Sequence, residues 1–500
     1  MTLHECARFL SRFSLITLAY NLGRLELVYS LLEKKIDAHE LEGMKMVCSD
    51  VDVIVAPYTA VEADISWGEA GGILSSFLLL RPTTLYGNKE YYSTLLARIV
   101  DRAYKETLYR LAGLFDIMWD RLWFAAHMPS IAFLSLLARL YPWLRPTINA
   151  MLYCTSYHQW VSKVSAKVAD TIEYVSRVPG TPYYKLVSKP VKPSSETNLV
   201  SLVEAIQITV DPSRTLEGLK EKLHPLLRDP LLLAKLDSAR LATRLLDFQD
   251  QLFAITGVKA ELTRIYRQGI VRAAARIEAK GYTPAIVKWY AKPIALKWLL
   301  VYILALHLPK PRIPPRKRLA AEYKYNRLLA EKGYDVPRPL LIDPRRLVSA
   351  YEYIEGKTLS DLIREKAVPE EELTRLGGLL ASLHRDNIGL WDTNPSNFVF
   401  SQDKIYVVDL EQARENPSLA EKAWDIALAA YYPSTLLPRK PEARARLLAK
   451  GYLDGGGDPR VVLEASRPRY MIPFLTAVAP NVLESIRRVL QRDALEALKG

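Results

Sequence analysis

The pattern of apolar and polar positions divides the first half of the chain into two parts. Up to about residue 110, short helical patterns surround one clear strand, DVDVIVA, at residues 50–56. From residue 104 to 176, and again from 199 to 253, apolar residues recur at the spacing of a buried helix face. We predict a small α/β region over residues 1–110 and a helical region over 111–255. Inside the latter, the Pro-, Ser- and Lys-rich residues 176–198 predict an exposed loop.

The pattern changes near residue 255, which is the predicted main domain boundary. Strand-like segments begin there, and the clearest are PAIVKWY at residues 284–290 and KIYVVD at residues 404–409. Helical spacing dominates the C-terminal part of the chain. The expected fold class is therefore α+β for the second half, after a helix-rich first half with a small α/β part.

Two apolar stretches raise the question of a membrane span. His127 and Pro129 interrupt the first, over residues 121–139, and the second, WLLVYILALHL at residues 298–308, is too short for a bilayer, which takes about 20 residues. We expect buried or amphipathic helices, no transmembrane span and no signal peptide. Basic residues follow the second stretch directly, so a peripheral membrane contact stays open.

Composition and charge do little to distinguish among possible functions and partners. A chain of 500 residues predicts two or three domains, and 49% hydrophobic with 25% charged residues is typical of a folded protein. The net charge of +13 suits nucleotides, nucleic acid or anionic headgroups without choosing among them, and a basic proteome explains it equally well. Cys6, Cys48 and Cys154 lack metal-ligand spacing, so we expect no disulfide framework and a cytoplasmic protein.

The stretch SLHRDNIGLWDTNPSNF contains the letters HRD, which mark the catalytic loop of many kinases. In that loop an Asn five residues after the catalytic Asp holds a metal ion. Five residues after Asp386 stands Trp391, whereas five residues after Asp392 stands Asn397, an oxygen ligand for a hard cation. The HRD triplet is therefore not the catalytic motif. We expect His384 to end a helix that leads into the loop.

Three further segments carry candidate chemistry. Asp409 ends an apolar, β-branched run and, together with Asn397, supplies the oxygen ligands that Mg²⁺ prefers beside phosphate. Lys288 ends a strand where a fixed cation would hold phosphates, and Glu322, on a helix that Gly333 stops, is its candidate partner. Farther on, the candidate hinge that would contact adenine through its backbone consists of Glu352, Tyr353 and Ile354.

Taken together, residues from about 256 to 435 resemble the protein-kinase-like superfamily. The motifs occur in that family's order: a strand Lys, a helix Glu, EYIEGKTL, LHRDNIGLWDTNPSNF, VVDLEQA and KAWDIALA. The nearest likeness is to archaeal atypical kinases related to the RIO and lipopolysaccharide (Kdo/heptose) kinases, and to aminoglycoside-type phosphotransferases.

The resemblance implies a bilobal domain that binds ATP with Mg²⁺ or Mn²⁺. Residues 256–356 would form its N-lobe and residues 357–500 its C-lobe. It further implies Asp392 as the catalytic residue, Asn397 and Asp409 as metal ligands, Lys288 as the phosphate-binding cation and Asp425 as a brace of the catalytic loop.

The sequence also departs from that family. Leu390 stands where the family usually has the loop His, and Leu410 with Glu411 replaces the rest of the DFG motif. No glycine-rich phosphate loop is evident, and only Gly269 lies near the expected turn. The absent glycines bear on nucleotide affinity more than on the fold.

A second candidate site lies in the first half of the chain. Asp50 and Asp52 sit two residues apart, on one face of a strand, as in the paired carboxylates of nucleotidyltransferases. Glu62 or Asp64 would add a third carboxylate, but the Gly-Ser turn of such enzymes is missing and only Gly43 lies upstream. A strand entered through a polar turn is the simpler explanation of the pair, because the short motif lacks its usual context.

The predicted function is ATP-dependent transfer of the γ-phosphate to a hydroxyl. The acceptor stays open among a protein, a sugar, a lipid headgroup and an antibiotic-like small molecule. The short stretch from Asp409 to Asp425 leaves little room for an activation segment, which slightly favours a small-molecule or atypical substrate. Nucleic acid as a partner has no support beyond charge. The alternatives are a nucleotide-binding pseudokinase scaffold and a nucleotidyltransferase–kinase fusion.

Overall fold

The computed structural model describes residues 2–21, 26–33, 38–193, 207–209, 217, 219–259, 274–290, 308–365 and 370–499. Its backbone contacts divide the chain into two compact units. Unit 1 comprises residues 1–114, 119–237 and 243–247, and unit 2 comprises residues 115–118, 238–242 and 248–500.

Unit 1 is built from two sheets and the helices that cover them. Its strands are β1 (Ser14–Asn21), β2 (Glu26–Leu32), β3 (Asp52–Pro57), β4 (Thr84–Gly87), β5 (Leu122–Ala125), β6 (Val175–Arg177), β7 (Tyr183–Leu186), β8 (Gln207–Thr209) and β9 (Ala234–Leu236). Its helices are α1 (Leu3–Leu10), α2 (Ala38–Val47), α3 (Tyr58–Trp67), α4 (Ile73–Ser76), α5 (Lys89–Phe115, whose last residue belongs to unit 2), α6 (Met128–Leu140), α7 (Arg145–Leu152), α8 (Thr155–Ala169) and α9 (Pro225–Arg228).

The larger sheet of unit 1 has the order β4-β1-β2-β3-β8, and the other has the order β6-β7-β5-β9. Strands β2 and β3 are parallel and are joined through α2, while β1 pairs with β2 antiparallel. Both β2 and β3 read as nearly continuous apolar runs because both of their faces are buried.

The smaller sheet corrects the prediction for residues 176–198. Instead of one exposed loop, strands β6 and β7 form an antiparallel hairpin. Pro179 and Gly180 lie in its turn, where Gly180 adopts φ +70°, a conformation that glycine enters without steric cost. The strands are three and four residues long, too short for a period-two pattern to emerge. Residues 194–198 of the predicted loop lie outside the described residues.

Unit 1 also corrects the expectation about cysteine. Cys6 of α1 and Cys48, directly after α2, form a disulfide with a Cα–Cα distance of 5.1 Å. The two helices pack together beside β1 and β2, which brings into contact two residues 42 positions apart. The spacing of the two cysteines along the chain gives no indication that they lie close together in the fold. Intracellular proteins of hyperthermophiles also contain disulfides, so the bond assigns no compartment.

Unit 2 combines three sheets with a helical C-terminal part. Its strands are β10 (Arg240–Leu241), β11 (Ala274–Ile277), β12 (Ala285–Trp289), β13 (Pro339–Asp343), β14 (Val348–Glu352), β15 (Lys357–Thr358), β16 (Ile388–Gly389), β17 (Phe398–Ser401), β18 (Lys404–Val407) and β19 (Arg414–Glu415). Its helices are α10 (Phe248–Thr256), α11 (Pro315–Glu331), α12 (Leu359–Arg364), α13 (Glu370–Arg385), α14 (Leu419–Tyr431), α15 (Pro433–Leu436), α16 (Pro441–Asp454), α17 (Pro459–Ala465) and α18 (Pro480–Ala497).

The largest sheet of unit 2 has the order β10-β13-β14-β12-β11, followed by the small sheets β15-β17-β18 and β16-β19. Helix α11 begins with Pro315 at its first position, where a missing N–H costs nothing, and Gly333 follows its end with φ +87°. Helices α12 and α14 both begin with capping boxes, Thr358 with Asp361 and Ser418 with Glu421.

Within the described part of the chain, no helix is both long enough and apolar enough to span a bilayer. The first apolar stretch of the sequence forms β5 and the 13-residue helix α6. Residues 298–307 of the second stretch lie outside the described residues.

Candidate functional site

Strand β12 and helix α11 bring Lys288 and Glu322 together. Burial alternates along β12, so that Ala285, Val287 and Trp289 pack into one core while Lys288 points to the opposite face. There its Nζ donates to Glu322 Oε1 at 2.8 Å. The Glu322 side chain is only 4% exposed and that of Lys288 17%, so the ion pair is largely shielded from water.

Asp409 completes this cluster from a third element. It follows β18, and its backbone takes φ +63°, a left-handed conformation that is uncommon for a residue with a side chain. Its Oδ1 lies 3.3 Å from Lys288 Nζ, and its side chain is 38% exposed. The Lys288 ammonium therefore lies between two carboxylates, one buried and one open to solvent.

The charges of the cluster shift one another's protonation. Burial lowers the pKa of Lys288, but Asp409 and Glu322 outweigh that penalty and raise it above the ordinary lysine value. Burial raises the pKa of Glu322, and the neighbouring Lys288 opposes this rise. A permanently charged lysine next to an exposed carboxylate suits the binding of phosphate together with a cation.

The loop that contains Asp392 lies at the base of the β17–β18 hairpin. Asn397 ends a short 3₁₀ turn just before β17, and its carbonyl accepts from the amide of Val408, the residue before Asp409. The Asn397 side-chain nitrogen donates to the Asp392 carbonyl at 2.9 Å. This bond leaves the amide oxygen of Asn397 as the atom available to a hard cation.

Asp425 holds this loop in place. Its carboxylate accepts from the amides of Leu390, at 2.9 Å, and Trp391, at 2.6 Å, and its carbonyl accepts from the Thr393 hydroxyl. Trp391 adopts φ +65°, so the bonds stabilise a backbone conformation that would otherwise be unfavourable. The expectation that Asp425 braces the loop is confirmed.

The HRD triplet lies at the C-terminal end of a helix, as predicted for His384. Helix α13 ends at Arg385, and the buried His384 ring contacts the Tyr452 hydroxyl and the Asp425 carboxylate. Asp386 accepts from the Tyr334 hydroxyl at 3.0 Å, and Lys332 lies 3.6 Å away. His384 thus supports the loop through Asp425, whereas Asp386 contacts side chains near the end of α11.

The predicted hinge lies at the end of β14: Glu352 is the last residue of that strand, and Tyr353 and Ile354 follow it. The amides of Glu352 and Tyr353 already donate to the carbonyls of Arg338 and Pro284, so any adenine contact here falls to Ile354 or to carbonyl oxygens. The Tyr353 ring lies beneath the Arg276 guanidinium at 3.9 Å. Gly269, the candidate for the phosphate-cradling turn, lies outside the described residues.

Sequence reasoning missed a second buried ion pair beside the cluster. Arg318, one helical turn before Glu322, donates to Glu411 at 2.9 Å, two residues after Asp409. Burial and the adjacent Asp409 raise the pKa of Glu411 to about 7, against the opposing effect of Arg318. The available signal was an Arg at i−4 from the helix Glu, combined with a Glu in place of the DFG glycine.

The acidic residues of unit 1 have structural partners. Asp64 is fully buried and accepts from the amides of Ala70, Gly72 and Ser75 and from the Ser75 hydroxyl. Glu62 accepts from the Tyr91 hydroxyl at 2.9 Å and pairs with Arg98.

Glu62 and Asp64, the candidates for the third carboxylate of the predicted nucleotidyltransferase site, are thus both engaged in structural contacts. Asp52 is the first residue of β3, but Asp50, which was predicted on the same strand, lies in the turn before it. Among the described residues, no group of three or more His, Cys, Asp or Glu side chains is arranged to hold a metal ion. The Asn397 and Asp409 set has one carboxylate and one amide, so it is not a group of this kind.

The chain matches no protein-family model. Two curated proteins are similar to part of it. The KEOPS complex subunit Bud32 of Pyrococcus abyssi is 26% identical over 148 residues, which cover 29% of this chain and 67% of that protein. A probable serine/threonine-protein kinase, the BUD32 homolog of Archaeoglobus fulgidus, is 29% identical over 186 residues, covering 34% of this chain and 92% of that protein.

Part of the chain is a distant relative of Bud32 proteins. The predicted resemblance to the protein-kinase-like superfamily is confirmed at this level, and the similarity supports an ATP-dependent, kinase-like function for the family as a whole. The finer comparison with RIO kinases, lipopolysaccharide kinases and aminoglycoside phosphotransferases stays a prediction. Because the similarity covers about a third of the chain at most, it does not describe the remaining two thirds.

Proposed function

We propose that unit 2 is an ATP-dependent phosphotransferase with a bilobal kinase-like arrangement. Residues 256–356 would form the N-lobe around the sheet of β12 and β14, and residues 357–500 the mostly helical C-lobe. The observation that carries the proposal is Lys288, held between Glu322 at 2.8 Å and Asp409 at 3.3 Å by three separate elements. A cation fixed in this way would hold the phosphates of a nucleotide.

The resemblance to kinases supports roles for the other residues. Asp392 would orient the acceptor hydroxyl and take its proton, and the hinge residues would contact the adenine. Asn397 and Asp409 would hold Mg²⁺ or Mn²⁺ through their oxygen atoms, which suit hard cations. When bound, the ion would neutralise charge on the phosphates. Asp425 keeps Asp392 in place through the loop backbone.

The acceptor is the least determined part of the proposal. The name of the Archaeoglobus relative points to serine or threonine hydroxyls, which makes a protein the first acceptor to test. The Pyrococcus relative is named as a KEOPS complex subunit, so we further propose that unit 2 works together with partner proteins in the cytoplasm. Sugar and lipid-headgroup hydroxyls are the next acceptors to test.

Asp392→Asn tests the proposal directly. The variant keeps the size of the side chain but cannot accept a proton, so turnover should fall by about 100-fold to 10,000-fold while ATP affinity stays within about twofold. The measurement is ATP binding and γ-phosphate transfer at elevated temperature, with Mg²⁺ and with Mn²⁺. Equal turnover in both proteins would refute the catalytic role of Asp392. Binding without turnover in the wild type would favour the pseudokinase scaffold.

A further inference from the structure

Arg318 is the most deeply buried charged side chain near the Lys288 cluster. The residue as a whole is 0% exposed, and its partner Glu411 is 7% exposed. A buried charge is costly unless opposite charge and hydrogen bonds surround it, so a guanidinium in this position needs partners that lie in fixed places.

The two ends of the Arg318 guanidinium contact two different elements. One nitrogen donates to Glu411 Oε2 at 2.9 Å, in the segment after Asp409. The other donates to the carbonyl of Tyr290 at 2.5 Å, directly after β12. Arg318 itself belongs to α11. One side chain therefore connects the three elements that carry Lys288, Glu322 and Asp409.

The segment after Asp409 is fixed at a second point as well. Arg312 donates to the carbonyls of Glu411 and Ala413, at 2.9 and 3.0 Å. The Gln412 side chain accepts from the Arg312 amide and donates to the Arg312 carbonyl. These bonds attach residues 411–413 to the chain just before α11, so a shift of α11 would move the Asp409 segment with it.

We propose that Arg318 is a positioning residue that holds the β12 strand, helix α11 and the Asp409 segment in the register needed for nucleotide binding. The inference rests on the proposed function of unit 2. Lysine cannot replace arginine here, because only the planar guanidinium presents donors to Glu411 and to the Tyr290 carbonyl at once. The Lys288 and Glu322 pair alone would leave the Asp409 segment free to shift relative to α11.

The test compares Arg318→Met, Arg318→Lys and Glu411→Gln in the full chain by MgATP affinity, by KM and kcat, and by thermal unfolding. We expect MgATP affinity to fall about tenfold or more in Arg318→Met and less in Arg318→Lys, with KM rising more than kcat falls. Arg327→Met is the matched control, since Arg327 lies on the same helix and pairs with Glu331 of that helix. It should bind MgATP like the wild type.

A double variant, Arg318→Met with Glu411→Leu, separates positioning from stability. Apolar replacement of a whole buried ion pair is often neutral for stability, so its melting temperature should approach that of the wild type. We expect its MgATP affinity to stay about tenfold weaker. Glu411→Gln keeps an oxygen that can accept from Arg318, so it should lose less affinity than Arg318→Met. Recovery of the affinity together with the melting temperature in the double variant would overturn the inference, as would wild-type affinity in Arg318→Met. Absence of MgATP binding in the wild type would overturn the proposed function as well.

Discussion

Asp64 in unit 1 and Glu322 in unit 2 are both buried acids, but their surroundings differ in kind. All four donors to Asp64 come from residues 70–75, the segment that follows its own helix. Glu322 accepts instead from Lys288, which lies 34 positions away on another element and next to a third acid, Asp409. The first acid stabilises a loop. The second belongs to a set of charges assembled across the fold.

The origin of its partners distinguishes a structural acid from a candidate functional acid better than the extent of its burial does. An acid satisfied by neighbouring backbone amides has no capacity left for a ligand, and its removal should act on the fold. Charges that converge from separate elements, with one of them exposed, can exchange a protein partner for phosphate or metal. Substitutions in the two units should therefore affect different measurements.

The largest expected effect is that of Asp409→Ala on metal-dependent nucleotide binding. Loss of a proposed metal ligand should weaken MgATP binding by roughly 100-fold or more, since even outer partners of such sites are worth about 10-fold to 100-fold. Titration of ATP with and without Mg²⁺ measures it. Asp403→Ala, an exposed acid in the turn of the β17–β18 hairpin, is the control. If both variants kept the Mg²⁺ dependence, Asp409 would be no ligand.

The positions of these residues explain how much the sequence could reveal. Lys288, Asp392, Asn397 and Asp409 occur in motifs whose spacing is fixed by local geometry, such as the five residues from Asp to Asn. They were therefore predictable as candidates, although their roles stay predictions. The end of α13 at the HRD triplet was predictable for the same reason.

Other features depend on contacts that have no local spacing. The Arg318 and Glu411 pair spans 93 positions and the disulfide spans 42. In both pairs, the sequence around one residue gives no indication of its partner. The strands of the β6–β7 hairpin were too short for periodicity to emerge. The structural role of Asp64 was not predicted, because the sequence alone does not distinguish a buried structural acid from a metal-binding acid.

Asp64→Asn should have the next largest effect, and on stability rather than on binding. The amide cannot accept at both of its ends, so at least one of the buried donors loses its partner, which costs about 3 kcal/mol. Hydrogen exchange of the α3 and α4 amides measures the local loss, and MgATP affinity should not change. Glu62→Gln, in a half-exposed pair with Arg98, should cost less than about 1 kcal/mol. Similar losses of folding free energy in Asp64→Asn and Glu62→Gln would contradict the structural role assigned to Asp64.

A pH-dependent effect distinguishes two partly buried basic groups, one in each unit. Burial disfavours the charged form of both Lys288 and His127, yet their pKa values move in opposite directions. Two carboxylates raise the pKa of Lys288, whereas burial and then the neighbouring His158 lower the pKa of His127 to about 4. Among the described residues, His127 Nδ1 has no hydrogen-bond partner, and the His158 ring centroid lies 6.2 Å from that of His127.

The consequence is a pH-dependent stability of unit 1. Between about pH 6.5 and pH 4 the unfolded chain binds a proton at His127 that the folded chain does not, so the stability falls as the pH falls. The slope should approach about 1.4 kcal/mol per pH unit, and the loss at pH 4 should reach about 3 kcal/mol at most. Hydrogen exchange of the α6 amides at a series of pH values measures it. His127→Phe should flatten the profile over this range, and an unchanged slope in that variant would assign the pH dependence to other groups.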